Sequence, residues 1–197
     1  MDIDAFWDIT EAARARTGPG QPFDEALTGC LATRTQQDIQ AYQEQFDQVH
    51  AALYRWDLWA VAYLIGGGCS DDGFIDFRAG LIAQGREWSE KAAASPDSLA
   101  DHPAVAEAAG GSADNPLFYE AVSYAAPRAF GQPGGEEGFY AAWIRFRGPR
   151  DQRGHDAVDM GEDFDFDDPD QMHRRLPRLA ALFLADGPRH SRRLLGP

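Results

Sequence analysis

A chain of 197 residues that is 44% hydrophobic and 25% charged has the makings of one ordinary globular domain, and 18 basic against 32 acidic side chains give it a formal charge of −14. That charge repels phosphate backbones and anionic lipid surfaces, so neither nucleic acid nor membrane is an expected partner. Two cysteines are too few for a disulfide scaffold, Met1-Asp2-Ile3-Asp4 has neither the basic start nor the apolar core of a secretion signal, and the longest uncharged apolar run, Leu58 to Cys69, is shorter than a bilayer span; a cytoplasmic location is expected.

Ile3 to Arg16 puts Phe6, Trp7, Ile9, Ala12 and Ala13 on one helical stripe and stops at Thr17-Gly18-Pro19-Gly20. Asp24 can cap a second helix carrying Leu27, Cys30 and Leu31, and Thr35 opens a long third one through Ile39, Tyr42, Phe46, Val49 and Leu53. The pattern runs on into Leu53–Ile65, apolar around its circumference except at Arg55 and Asp57, which predicts a buried central helix. Gly66-Gly67-Gly68 ends it, and beyond Cys69-Ser70-Asp71-Asp72-Gly73 a new helix carries Phe74, Phe77, Leu81, Ile82 and Trp88, completing an antiparallel hairpin. Turn signals at Ser95-Pro96-Asp97 and Asp101-His102-Pro103 precede a short helix, and Asn115-Pro116 starts another through Leu117, Phe118, Ala121, Val122 and Ala125 that Pro127 ends or kinks. Residues 131–168 turn rich in Gly, Pro and charge, with Phe139–Phe146 readable as strand or helix. A last helix begins at Asp168-Pro169 and carries Met172, Leu176, Leu179, Leu182 and Phe183 with Pro177 in its interior, before a frayed basic tail. The fold class is therefore mainly α: a single-domain helical bundle with an irregular, Gly/Pro-rich and acidic C-terminal segment. Residues 1–130 form the core, 131–168 the irregular stretch, and 169–197 a helix and tail packing back on the core.

Chemistry concentrates between Arg55 and Glu87. Charges on apolar faces need partners, so Asp57 or the Asp71/Asp72 pair is expected to meet Arg55 or Arg78 across the hairpin, in the plainer reading as a structural ion pair. At the loop, Ser70, Asp71 or Asp72 makes a good N-cap, which leaves one carboxylate spare for acid/base work or a hard cation. Cys69 lies at a helix N-terminus, which lowers a thiol pKa, but its flanking carboxylates act the other way. The candidate catalytic residues are thus Asp71, Asp72, Asp57 and Cys69; candidate ligand-binding residues are Arg55, Trp56, Trp59, Ser70, Arg78 and Arg86. No metal site is expected. Asp163, Asp165 and Asp167 have the first spacings of a calcium loop, but Asp168 stands where glycine is required and Arg174 where a bidentate Glu belongs, so a solvated acidic loop that pins Phe164 and Phe166 is the better reading. The histidines lack zinc-ligand spacing, and the glycine run has no following Lys for a phosphate loop.

The run Tyr54-Arg55-Trp56-Asp57-Leu58-Trp59, then Ala62–Phe74, Phe77-Arg78, Leu81-Ile82 and Gly85-Arg86, resembles the actinobacterial family known as domain of unknown function 4240 (DUF4240). Phe6-Trp7, Pro96–Pro103 and Arg174–Leu182 share the resemblance, whereas residues 131–158 look peculiar to this chain. The resemblance implies a mainly helical fold and no established activity. Function is expected to be that of a non-catalytic binding or regulatory module, engaging a protein partner or small ligand beside Trp56, Trp59 and the Asp71/Asp72 loop and needing no cofactor. The alternative is an enzyme using carboxylate acid/base or divalent-metal chemistry at Cys69–Gly73.

Overall fold

Helix starts fall where a side-chain oxygen or a proline relieves the orphan N–H groups of a first turn. The computed structural model describes residues 1–111, 115–131, 135–147 and 159–184. Asp2 caps α1 (Ile3–Arg14), accepting from Ala5 N at 2.8 Å. The extended backbone of Pro22 leads into α2 (Phe23–Ala32), so Asp24 is not the cap: it lies buried in the first turn, bound to side chains from far along the chain. Thr35 and Asp38 form the reciprocal capping box of α3 (Gln36–Ala52).

The expected continuous helix from Thr35 to Ile65 is two helices. Leu53-Tyr54-Arg55 breaks the run, and α4 (Trp56–Gly66) starts with Arg55 extended at φ −140° as its cap residue, placing Arg55 at a helix entrance instead of within an apolar face. Gly67, at φ 65°, closes α4 in the left-handed conformation, and Gly68 N donates back to Tyr63 O at 2.9 Å. Ser70 caps α5 (Asp71–Ala83) through Gly73 N at 3.1 Å. Gly85, at φ 90°, separates α6 (Arg86–Ala94), so Trp88 belongs to a different helix from Phe74 and Phe77. A 3-10 segment (Pro96–Asp101) and α7 (Pro103–Ala109) follow the two turn signals.

Asn115-Pro116 does not start a helix. Asn115 and Leu117 take positive φ (46° and 70°), and Asn115–Tyr119 runs irregularly across α5 before a 3-10 segment (Glu120–Tyr124) and α8 (Ala125–Ala129). Pro127 does not end α8 but sits inside its first turn, where no intrahelical donor is needed. Phe139–Phe146 is helical, within α9 (Gly135–Arg147). Pro177 splits the last helix into α10 (Pro169–Arg175), capped by Asp168, and α11 (Pro177–Phe183). Since α11 has no side-chain cap of its own, Asp97 supplies one from a distance, taking the N–H groups of Arg178 and Leu179 at 3.1 and 3.0 Å. The predicted tail lies outside the described residues.

Among the described residues there is no named strand, and the only bridge pairs Gly18 with Gln21. No described helix is long and apolar enough to cross a membrane. The result is a mainly α single domain whose core gathers Phe6, Leu27, Leu31, Ile39, Leu58, Phe74, Phe77, Leu81 and Leu99, all almost fully excluded from solvent. Met172, Leu176, Leu179 and Ala180 are equally buried, so α10 and α11 complete that core. α11 packs on α4, α7 and the first 3-10 segment.

Candidate functional site

Four-residue spacing on α4 presents Trp59 and Tyr63 one turn apart, with Trp56 a turn before them. Trp56 stacks on Trp59 (5.4 Å between centroids) and Trp59 on Phe74 (4.8 Å), while the Trp59 indole N–H donates to Cys69 O at 3.2 Å. These two tryptophans are half-buried. Residues 159–168 lie against this face: Trp56 N donates to Met160 O at 3.0 Å, and Phe166 packs edge-on to Trp56 and tilted on Tyr63. Phe164 is buried, with the Arg175 guanidinium 4.3 Å from its ring centre, so the acidic stretch pins its two phenylalanines as the sequence suggests. Where α4, this stretch and α11 meet, a cavity of about 230 Å³ remains, lined by Tyr63, Leu64, Phe166, Asp167, Pro169, Phe183 and Leu184. Its polar edge is the Tyr63 hydroxyl donating to Asp167, a bond that holds the phenol above its usual pKa.

The loop that carries the sequence candidates is used differently. Ser70 is spent as the cap. Asp71 and Asp72 are exposed in the first turn of α5, where they complement the helix dipole, and neither lines the cavity. Burial pushes the Cys69 thiol up to about 11, and the charges of Asp76 and Asp71 add to the effect, so at neutral pH it is a thiol and not a thiolate. Asp76, a residue the sequence reading passed over, is also raised, first by burial and then by Glu120 and Asp72. Among the described residues no group of three or more His, Cys, Asp and Glu side chains is arranged to hold a metal ion.

The expected ion pairs form in part. Arg55 does pair with Asp57, but two residues away and not across a hairpin; its other arm donates to Ala93 O at 2.6 Å, and Asp57 accepts from Leu58 N at 2.8 Å. Among the described residues Arg78 meets no carboxylate. It is buried, donating to Phe74 O, His50 O and His50 Nδ1 at 3.3, 2.8 and 3.1 Å, with its guanidinium about 5 Å from the Tyr54 and Phe74 ring centres. Burial lowers Arg78 to about 10 and, together with the Arg78 charge, His50 to about 4. His50 is thus a neutral acceptor for Arg78 whose Nε2–H faces Ile75 O at 3.1 Å. Arg86 is taken up by Asp4 and Glu90, both at 2.6 Å. Of the sequence candidates, then, Trp56 and Trp59 reach the cavity only through Phe166, which packs on Trp56 and lines it, while Ser70 caps α5, Arg55, Asp57, Arg78 and Arg86 clamp helices, and Cys69, Asp71 and Asp72 do neither.

Two clusters had no forecast in the sequence. The buried Asp24 carboxylate accepts from the Tyr119 hydroxyl at 2.5 Å and Arg128 Nη1 at 3.0 Å, tying α2 to the segment before α8 and to α8 itself. The cavity residues Tyr63, Leu64, Phe183 and Leu184 read only as apolar helix positions; the alternation of Phe and Asp from Phe164 to Asp167 was the available signal.

A helical domain with an apolar cavity beside a stacked tryptophan pair defines a class of fold and not a chemistry. The chain belongs to the family described as protein of unknown function (DUF4240), whose model matches residues 1–132. The matched stretch carries Tyr54–Phe74 and Pro96–Pro103 but stops before the resemblance at Arg174–Leu182. Compared with the curated proteins and with the solved structures, the chain finds no match.

Proposed function

We propose that the protein is a non-catalytic binding module, and that the cavity between α4 and α11 is where it takes its ligand or partner. The observation that carries this reading is the cavity lining: five apolar side chains with a single convergent polar pair, Tyr63 and Asp167. That division of labour, apolar surface for affinity and a few placed polar groups for orientation, is what binding sites share. The half-buried Trp56–Trp59 stack next to it adds aromatic surface of the kind that dominates interfaces. The Cys69–Gly73 loop, by contrast, supplies a cap, a protonated thiol and two solvated carboxylates.

A thermal-shift screen against divalent metals, with chelator controls, and a panel of common metabolites and short peptides tests it. The screen is run on the wild-type chain, on Leu184→Trp, which fills the cavity, and on Asp71→Ala and Asp72→Ala. A ligand that binds only the folded state raises the melting temperature, by about 2.7 kcal/mol of stability at a hundredfold excess over its dissociation constant. The expected result is a shift abolished by Leu184→Trp and kept by both Asp variants. A shift that instead disappears in Asp71→Ala or Asp72→Ala returns the carboxylate enzyme reading.

A further inference from the structure

Resting on that reading of the cavity, we propose that its occupant is a short segment of a partner protein in which an apolar side chain stands beside a basic one. Size argues first. About 230 Å³ is below the ~300–1,000 Å³ of small-molecule sites and suits one or two side chains, the scale of an interface anchor. The lining of Leu64, Phe166, Phe183 and Leu184 selects an aliphatic or aromatic anchor over a polar one.

Charge at the mouth supplies the second half of the recognition. Asp167 lines the cavity, and Asp163, Asp165 and Asp170 lie within four residues of it. No described Lys, Arg or His pairs with any of these four, although neighbouring acids are matched, Glu162 by Arg175 and Asp101 by Arg178. The stretch is also fixed in place. Asp165 accepts from Asp167 N at 2.9 Å, the Tyr63 hydroxyl holds Asp167, and Phe166 is packed against Trp56 and Tyr63. A fixed carboxylate at the edge of an apolar hole, on an acidic stretch, attracts a cation adjoining an apolar group, repels acidic ligands, and costs little ordering when the partner arrives. The chain carries a segment of this same chemistry, Arg192-Arg193-Leu194-Leu195, which makes competition from within the chain one of the results to look for.

The test is fluorescence anisotropy of a labelled hexapeptide, Ser-Arg-Arg-Leu-Leu-Ser with blocked ends, titrated with the full-length chain. Companion peptides replace both arginines or both leucines by serine. Expected are saturable binding, its loss with the leucine-free peptide and with Leu184→Trp, and weakening by about tenfold, roughly 1.4 kcal/mol, with Asp165→Asn plus Asp167→Asn or with the arginine-free peptide. Far-UV circular dichroism melts verify that each variant is folded, and Asp165→Asn with Asp167→Asn, both at exposed positions, is the pair expected to fold in any case. Equal binding of the arginine-free peptide, still lost in Leu184→Trp, overturns the basic partner and leaves the cavity as the site. If no peptide binds the wild-type chain, the proposal fails, and if Leu184→Trp also leaves every shift in the thermal screen untouched, the binding-site reading fails with it. Binding that emerges only when Arg192, Arg193, Leu194 and Leu195 are all replaced by serine in the full chain assigns the cavity to the chain's own segment and overturns the partner.

Discussion

Gly80 and Gly29 both sit inside helices, yet replacing each by alanine should move stability in opposite directions. Alanine outranks glycine in a helix interior by about 1 kcal/mol, so propensity alone favours both changes. Around Gly29, on α2, a new Cβ meets nothing within 4 Å, and Gly29→Ala should stabilise by about 0.4–1 kcal/mol. At Gly80, on α5, the Cβ would stand 1.8 Å from Leu117 O, 2.6 Å from Leu117 C and 3.2 Å from Tyr119 N, all backbone atoms. To reach even the 3.4 Å at which ordinary contact begins, the crossing segment must retreat by about 1.6 Å. That segment cannot yield cheaply. Leu117 is buried at φ 70°, Tyr119 N donates to Asp76 O at 3.0 Å, and Phe118 closes on Gly66, whose own Cβ position is 3.2 Å from the Phe118 ring. Overpacking at about 1–3 kcal/mol plus about 1 kcal/mol for the strained hydrogen bond, less the propensity gain of about 1 kcal/mol, leaves Gly80→Ala destabilised by about 1–3 kcal/mol. For a chain of this length that is a fall of about 2–12 °C in melting temperature, against a rise of about 1–4 °C for Gly29→Ala. Thermal and urea unfolding followed by far-UV circular dichroism measure both. A Gly80→Ala protein as stable as the wild type would show that the Asn115–Tyr119 crossing is not held against α5, and the packing argument would fall.

His50, neutral in the fold with its pKa at about 4, leaves stability intact above about pH 6.5; as pH falls from there toward 4 the unfolded chain takes up a proton that the folded one refuses, at a cost of up to about 3 kcal/mol. His102, also lowered by burial, acts in the same direction, so urea midpoints against pH should fall less steeply in His50→Gln without becoming flat. Arg128→Met leaves the buried Asp24 carboxylate with only the Tyr119 hydroxyl and should cost about 2 kcal/mol, more than a half-exposed arginine otherwise warrants; adding Asp24→Asn should recover part of the loss in a double-mutant cycle, and strict additivity would contradict the pairing. Cys69 should react with iodoacetamide no faster at neutral pH than an unstructured cysteine peptide, as followed by mass spectrometry, and a rate well above the peptide's would restore it as a nucleophile.

What the sequence made legible was chemistry that acts locally. Thr35, Ser70 before Gly73 and Asp168-Pro169 announce helix starts because a cap depends on neighbours two or three residues away. The misreadings arise where a distant backbone or side chain outbids the local signal. Asp24 has the credentials of a cap but is drawn inward by Tyr119 and Arg128, about a hundred residues on, and no local pattern encodes that choice. Asn115-Pro116 is a good helix start in isolation, yet the chain there must lie across Gly80, and the close approach imposes positive φ on Asn115 and Leu117 instead. The apolar run through Leu53 hides a helix break for a related reason: Leu53 is buried on either side of the bend, so hydrophobic periodicity continues while the backbone does not. The same logic explains the candidate site. Charges at a conspicuous loop drew attention to Asp71 and Asp72, which serve a helix terminus, whereas the cavity is assembled from Leu64, Phe166 and Phe183, residues of ordinary appearance that only α11 folding back onto α4 brings together. A binding surface of this kind is written in which helices meet, and the one trace it left in the sequence was the phenylalanine–aspartate alternation, where the aromatics turn inward and leave their acidic neighbours facing the solvent, Asp167 at the cavity's edge.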